Sequence, residues 1–312
     1  MIDLSVILVS WNTREHLKEC LGSLYREKKN ISCEVFVVDN ASTDGSREMI
    51  RSNYPQVVLI ENHSNVGFAK ANNQALRKCS GKYVLLLNPD TEVLRSCLEN
   101  MLDFMEKHPD AGAAGCRILN SKGELEPFRT AKRFPTPLTK FFVDMHMDRL
   151  LPKIKLLGQY SMVGWDRSDT REVDVLSGAF MFIRREVILD VGLLDERFFL
   201  LAEDIDWCWR IKHKNWKILF NPHAEIIHHA GKAIDQVPFV RLKNAILSHL
   251  LYFEKYHKRY DVVVFRFLQS ITHVSKAVFW LCKFLSGKKP IYAWKNSKAH
   301  FKAFYYCFAA RT

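Results

Sequence analysis

Neither G-x-G-x-x-G nor G-x-x-x-x-G-K-[ST] occurs in this sequence, so dinucleotide binding and P-loop phosphate binding have no support. A G-x-S-x-G elbow is also missing, and the eight cysteines form no C-x-x-C pair, which leaves no activated nucleophile and no zinc spacing in view. Those thiols read as buried and reduced. The first residues lack the basic stretch and cleavage site of a secretory signal, and no run of roughly 18 uncharged apolar residues offers a membrane span. Together these absences predict a cytoplasmic protein. Acidic side chains are scarce in one region only. Residues 241–312 hold Glu254 and Asp261 against 14 Lys and Arg, whereas residues 1–240 hold 32 of each sign, so the whole +12 net charge belongs to the tail. A neutral body excludes a protein that coats nucleic acid, because phosphate binding needs cations across the binding face.

What is present suits a large packed core. With 312 residues, 48% apolar and 26% charged, the chain is too long for one ordinary domain and too apolar for disorder. Residues 4–10 and 34–40 are short β-branched runs that end in polar residues, as strands buried on both faces do. Between them Leu17, Cys20, Leu21 and Leu24 fall at helical spacing, with Asn12 and Glu15 placed as N-cap and capping box. Further strands are predicted at 57–61 and 83–87, and helices at 67–79 and 94–105. Strand–helix–strand order predicts an α/β fold on a mostly parallel central sheet. Pro127, Pro135, Pro137 and Pro152 interrupt the pattern, and residues 120–171 read as a long variable insertion. Periodicity returns with a strand at 173–183, a helix at 205–213 and strand-rich sequence at 216–228. This gives a catalytic-type domain over 1–235 and a basic helical tail over 236–312, opening with a helix from Val237 to about His257.

In open parallel sheets, ligands bind beyond the carboxyl ends of the strands. Here the first strand runs into Ser10-Trp11-Asn12, the second into Asp39-Asn40-Ala41-Ser42-Thr43-Asp44-Gly45-Ser46, and the fourth into Asn88-Pro89-Asp90-Thr91. Any one of these is an ordinary Asx turn or cap; three together fit capping less well. Asn65-Val66-Gly67-Phe68-Ala69-Lys70-Ala71-Asn72-Asn73, Ser177-Gly178-Ala179, Glu203-Asp204-Ile205-Asp206-Trp207 with Arg210, and His228-His229 follow in order. On these motifs, which run to about residue 230, the sequence resembles glycosyltransferase family 2, the inverting nucleotide-sugar enzymes with the A-type fold, and especially its bacterial rhamnosyltransferase-like branch.

The resemblance implies transfer of a sugar from a nucleotide-sugar donor to a polysaccharide or lipid-linked saccharide acceptor, with dTDP-L-rhamnose favoured as donor. A UDP-hexose, a UDP-N-acetylhexosamine and a non-catalytic membrane-binding homologue are the alternatives. It implies donor binding by Ser10, Asn12, Asp39, Asn40, Ser42, Asn65, Gly67, Phe68, Lys70, Asn72, Asn88 and Asp90, with Asp39 accepting from a pyrimidine N–H. Ser177, Gly178, Trp207 and Arg210 would meet the acceptor. Asp204, beside Glu203, would be the general base, and Asp90 with His228 would hold Mn2+ or Mg2+. The chemistry needs such groups, since the departing diphosphate gathers negative charge and the attacking hydroxyl must lose a proton. One departure stands out: the usual Asp-x-Asp reads Asn88-Pro89-Asp90, with a neutral carbonyl in first place. His228 and His229 point to opposite faces of a strand, so only one can reach the metal.

In the tail, Arg266, Gln269, His273, Lys276 and Lys283 form a polar stripe through apolar sequence, followed by lysines interleaved with Tyr292, Trp294, Phe301, Phe304 and Tyr305. That pattern predicts an amphipathic anchor on an anionic membrane surface, peripheral on its inner face. A helix packed on the domain or on a dimer partner is the alternative.

Overall fold

The computed structural model describes residues 2–151, 154–229 and 238–309. These form two compact units: Met1–Phe134 with Trp165–Phe199 and Glu203–Ala233, and Pro135–Gly164 with Leu200–Ala202 and Ile234–Thr312. The first unit alternates β1 (Leu4–Ser10), α1 (Arg14–Glu27), β2 (Cys33–Asp39), α2 (Ser46–Asn53), β3 (Val58–Glu61), α3 (Phe68–Leu76) and β4 (Tyr83–Leu87). It continues through β5 (Thr91–Val93), α4 (Cys97–Lys107) and β6 (Ala111–Leu119). The second unit contributes α5 (Pro137–Asp144) before β7 (Phe180–Arg184), α6 (Arg185–Val191), α7 (Glu203–His213) and β8 (Lys217–His228) complete the first.

The strands lie in the order β3-β2-β1-β4-β7-β6-β8-β5. From β3 to β4 the pairing is parallel. β6 and β8 also pair in parallel, while β7 runs antiparallel to both β4 and β6, and β5 antiparallel to β8, so the sheet is mostly parallel, as expected, with two strands reversed. The order reverses between β1 and β4, and that switch point is where an α/β sheet opens a crevice for ligands. β1 is buried along nearly its whole length, and α1 lays Leu17, Cys20, Leu21 and Leu24 against it.

Three local expectations need correction. Thr13, not Asn12, precedes α1, and no side chain caps that helix; Asn12 sits at φ 53° and its Oδ1 accepts from the Thr43 N–H at 2.8 Å. The strand expected at 173–183 is broken, with Val175–Leu176 pairing elsewhere and Ser177-Gly178-Ala179 bridging to β7. β6 was not anticipated, because its sequence AGAAGCRIL lacks β-branched residues until Ile118. Its small side chains are required by packing: a Cβ on Gly115 would stand 2.5 Å from Leu176 Cδ2.

The second unit holds three long helices, α8 (Pro238–Tyr256), α9 (Arg259–Leu285) and α10 (Pro290–Ala309). α9 and α10 are antiparallel, Ser297 Oγ donating to the Ala277 carbonyl at 3.0 Å and Arg266 to the Cys307 carbonyl at 2.9 Å. Gln269 of α9 donates to Asp144 of α5 at 2.7 Å, so part of the segment read as an insertion of the body packs with the tail. The domain boundary expected at 235 and the helix start expected at Val237 lie outside the described residues. All the cysteines are free; Cys282 is exposed and Cys33 half-buried, the other six buried.

Candidate active site

The carboxyl ends of β1 and β2 are aligned, Ser10 being the register partner of Asp39. Asp39 is buried, and its Oδ1 accepts from Arg47 Nε at 2.6 Å and from the Ser42 N–H at 3.0 Å. Its Oδ2 is buried without a hydrogen-bond partner. A buried acceptor left open costs about 1–3 kcal/mol unless a ligand supplies a donor. Around it the loops clasp each other: the Asn12 N–H donates to Ser42 Oγ at 3.0 Å, and the Arg14 N–H to Asp44 at 2.8 Å. Both Asn12 and Ala41 hold positive φ, strain that concentrates where geometry serves binding.

Asn40 and Asn72 were expected to touch the donor, but their amides serve the protein. Asn40 donates to the Gly67 carbonyl at 3.3 Å and accepts from Asn62 at 2.9 Å, and Asn72 donates to the Phe68 carbonyl at 2.9 Å. Asn65 Oδ1 accepts from the Gly67 N–H at 3.0 Å, and Ser10 Oγ pairs with Thr13. Lys70 is exposed and Phe68 half-buried.

At the end of β4, the half-buried Asn88 is pinned by its N–H to the Ala179 carbonyl at 3.0 Å. Asp90 and His228 are both buried, with Nε2 of the ring 3.1 Å from Asp90 Oδ1. Burial opposes ionisation of Asp90, yet the hydrogen bond and charge of His228 outweigh it and hold the carboxyl below its ordinary range. His229 faces the other way, its Nδ1 3.0 Å from Ser121 Oγ and its ring stacked on His16. Among the described residues, no group of three or more His, Cys, Asp and Glu side chains is gathered to enclose a cation. Two ligands are still enough for Mg2+ or Mn2+, which are held by one or two protein groups together with substrate phosphates. His228 Nδ1 is buried and unpartnered, so the pair fits a cation whose shell the substrate completes.

Gly178 joins the donor side to the acids. A Cβ on it would lie 3.8 Å from Phe68 Cε1, 3.9 Å from Asp204 Cβ and 3.9 Å from Glu203 Oε1. Asp204 accepts from the Gly178 N–H at 3.3 Å and from the Ile205 N–H at 2.8 Å. Burial raises its pKa, with Lys132 and the backbone donors opposing. Glu203 is pushed up further, by burial first and by Asp204 second, and its Oε2 has no partner. Two adjacent carboxyls of raised pKa, one with an unpartnered oxygen, are the kind of perturbed pair that clusters at functional sites. Ser177 is half-buried on the same segment.

Trp207 and Arg210 are corrections. Trp207 is fully buried and donates to the Gly192 carbonyl at 2.9 Å, while Arg210 binds Asp206 and the carbonyls of Val191 and Leu193. Neither side chain is available to an acceptor. Arg47, Asn62 and Lys132 were missed by the sequence reading. Arg47 had a visible signal, since it is the second residue of the helix that follows the Asp39 loop; Lys132 had none, because its two-residue strand has no sequence pattern.

The sequence profile of "Glycosyl transferase family 2" matches residues 5–192, well over half of the chain. The chain belongs to glycosyl transferase family 2. An N-acetylglucosaminyl-diphospho-decaprenol L-rhamnosyltransferase of Mycobacterium tuberculosis is 27% identical over 246 residues, covering 75% of this chain and 78% of that one. A low-salt glycan biosynthesis hexosyltransferase of Haloferax volcanii is 26% identical over 241 residues, 76% of this chain and 70% of that one. Among solved structures, a mannosyltransferase from Pyrobaculum calidifontis in complex with GDP-Man and Mn2+ aligns at TM-score 0.57 and 18% identity, over 97% of this chain and 85% of that one. The architecture is therefore the A-type glycosyltransferase fold, and this family 2 member is a glycosyltransferase.

Proposed function

We propose that this family 2 enzyme is an inverting, divalent-cation-dependent transferase that moves L-rhamnose from dTDP-L-rhamnose to a polysaccharide or lipid-linked saccharide at the membrane surface. The observation that carries the reading is the buried Asp90–His228 pair on the same sheet edge as the open Asp39 Oδ2, with Asp204 raised in pKa across Gly178. The rhamnosyltransferase resemblance and the 27%-identical relative support the sugar and the lipid-linked acceptor. A hexose donor is the second reading, supported by the hexosyltransferase and mannosyltransferase likenesses.

In this reading Asp39 Oδ2 accepts a hydrogen bond from the pyrimidine ring, oriented by Arg47 on the other oxygen. Asp90 and His228 would hold Mn2+ or Mg2+, which, when bound, neutralises charge on the departing diphosphate. Asp204 takes the proton of the acceptor hydroxyl, its raised pKa making it a stronger base than an exposed aspartate. Direct displacement by that hydroxyl inverts the anomeric centre and needs no protein nucleophile. The basic tail draws the enzyme to an anionic surface.

Nucleoside diphosphate release from a panel of dTDP-, UDP- and GDP-sugars, with and without Mn2+, tests the reading. dTDP-L-rhamnose should turn over fastest, and Asp90→Ala should abolish turnover while the protein melts normally. Full activity of Asp90→Ala, or of the wild type in EDTA, would remove the cation assignment.

A further inference from the structure

In α9 and α10 the buried side chains are mostly small or polar, Phe265 excepted, and the large apolar ones are mostly exposed. α9 buries Gln269, Ser270, Thr272 and His273, while Phe267, Ile271, Val274 and Val278 stand exposed. α10 buries Ala293, Ser297, His300 and Ala303 and exposes Trp294, Phe301 and Tyr305. The inward polar groups are paired: Gln269 with Asp144, Ser297 with the Ala277 carbonyl, and His273 Nδ1 with His300 Nδ1 at 3.0 Å. The polar stripe read from the sequence thus faces protein, not solvent. Large exposed apolar patches are rare on soluble proteins and mark a contact. Small residues and polar bonds between helices, with large apolar side chains outward, are the way helices pair in lipid.

At 100° per residue, Val263, Phe267, Ile271, Val274, Val278 and Leu285 fall on one side of α9, and no charged residue shares that stripe. We propose that this stripe inserts into the hydrocarbon edge of an anionic bilayer, with α10 lying at headgroup depth. The proposal rests on the membrane-surface reading above and adds to it a salt-resistant, apolar contact. α9 lies in the plane rather than across it, because its inner face is bonded to Asp144 and, through Arg266, to Glu254, charges that a spanning helix would drag into hydrocarbon. Exposed Lys295, Lys298 and Lys302 alternate with the α10 aromatics, Lys298 lying 4.6 Å over the Trp294 ring. Their stems can follow apolar surface while the ammonium groups meet lipid phosphates. A second copy of the chain would instead bring the same lysines against one another, so charge complementarity selects the lipid.

The test uses the full chain and vesicles of phosphatidylcholine with and without phosphatidylglycerol, sedimented at low salt and at about 1 M NaCl, where screening reaches only ~3 Å. The wild type should stay on anionic vesicles at high salt. Phe267→Asp combined with Val274→Asp should lose at least about tenfold of that salt-resistant binding while keeping its low-salt binding, since each charge at depth opposes insertion. Quenching by lipids brominated in the acyl chain of a tryptophan placed in the stripe, Phe267→Trp, in excess of the quenching of the wild type, gives the same answer without relying on the double variant to fold. Release of the wild type at high salt with no acyl-chain quenching overturns insertion and leaves the electrostatic attachment standing. Absence of vesicle binding at any salt removes both. A dimer in light scattering that the double variant dissociates would overturn the proposal by giving the stripe to a second copy.

Discussion

At the scale of single residues, the site depends on carboxyl groups whose two oxygens have different surroundings. Asp204 has its pKa raised by burial, and the charge of Lys132 pulls the other way. The ionised form is the base, so activity should fall as pH drops through that raised pKa. Lys132→Gln removes the lowering influence, and the acid limb of the kcat profile should move to higher pH. Asp204→Asn keeps size but not proton acceptance, and should cut kcat by roughly 10²–10⁴-fold with donor affinity by calorimetry unchanged. Lost donor affinity with normal kcat would make Asp204 a binding residue. Glu203 offers a separate check through stability. Its folded pKa is raised, so the fold holds that proton more tightly than the unfolded chain does. Its contribution is complete below the ordinary glutamate pKa and is lost as pH rises through the folded value. Glu203→Gln should therefore melt with the wild type near pH 4 and above it at neutral pH, the gap opening by at most about 1.4 kcal/mol per pH unit. A constant difference across pH would show that Glu203 is already ionised in the fold.

At the scale of elements, the turn before α3, on the side proposed for the donor, is packed against Phe199. Gly67 has φ +87°, and a Cβ there would stand 2.6 Å from the Phe199 carbonyl oxygen, which also accepts from the Phe68 N–H at 2.7 Å. Gly67→Ala must strain both, at about 1–3 kcal/mol. Because the Gly67 carbonyl also receives Asn40, the donor KM should rise along with the fall in melting temperature. An unchanged KM in a destabilised variant would confine Gly67 to folding. Elements of this half were legible in the sequence because burial on both faces leaves a run of Val, Ile and Leu, as in β1 and β4, whose limits match the reading. β6 was illegible since its glycines answer to close neighbours, Gly112 to Trp216 Cβ and Gly115 to Leu176, rather than to strand preference. The strand ends announced Asp39 and Asp90 by their polarity, and the family resemblance added Asp204, but neither says whether a polar side chain faces ligand or protein. Asn40, Asn72, Trp207 and Arg210, which the resemblance assigns to ligands, are bonded inward. Only the alternation of a strand separates His228 from His229, and it names two faces without naming which is occupied.

At the scale of the whole molecule, the charge step at residue 241 suggests a detachable tail, and the packing contradicts it. α5, drawn from the middle of the sequence, shares a unit with α8, α9 and α10. The Asp144 carboxyl is half-buried; Lys140 and Gln269 overcome the desolvation and keep it below the ordinary range. Ending the chain at Tyr260 would remove Gln269 and nearly all of α9, which packs against α5. Residues 137–144 should then be cut more readily in limited proteolysis than they are in the full chain. Every side chain proposed for the donor lies in the other unit, within Met1–Phe134 or Glu203–Ala233. Stabilisation of the shortened chain by the nucleotide sugar, read as a thermal shift, should accordingly persist. The two readouts divide the possibilities. Unchanged cutting of 137–144 in the shortened chain would make the tail an appendage after all, whereas loss of the donor-dependent shift would mean that the helical unit is required for the nucleotide site to form.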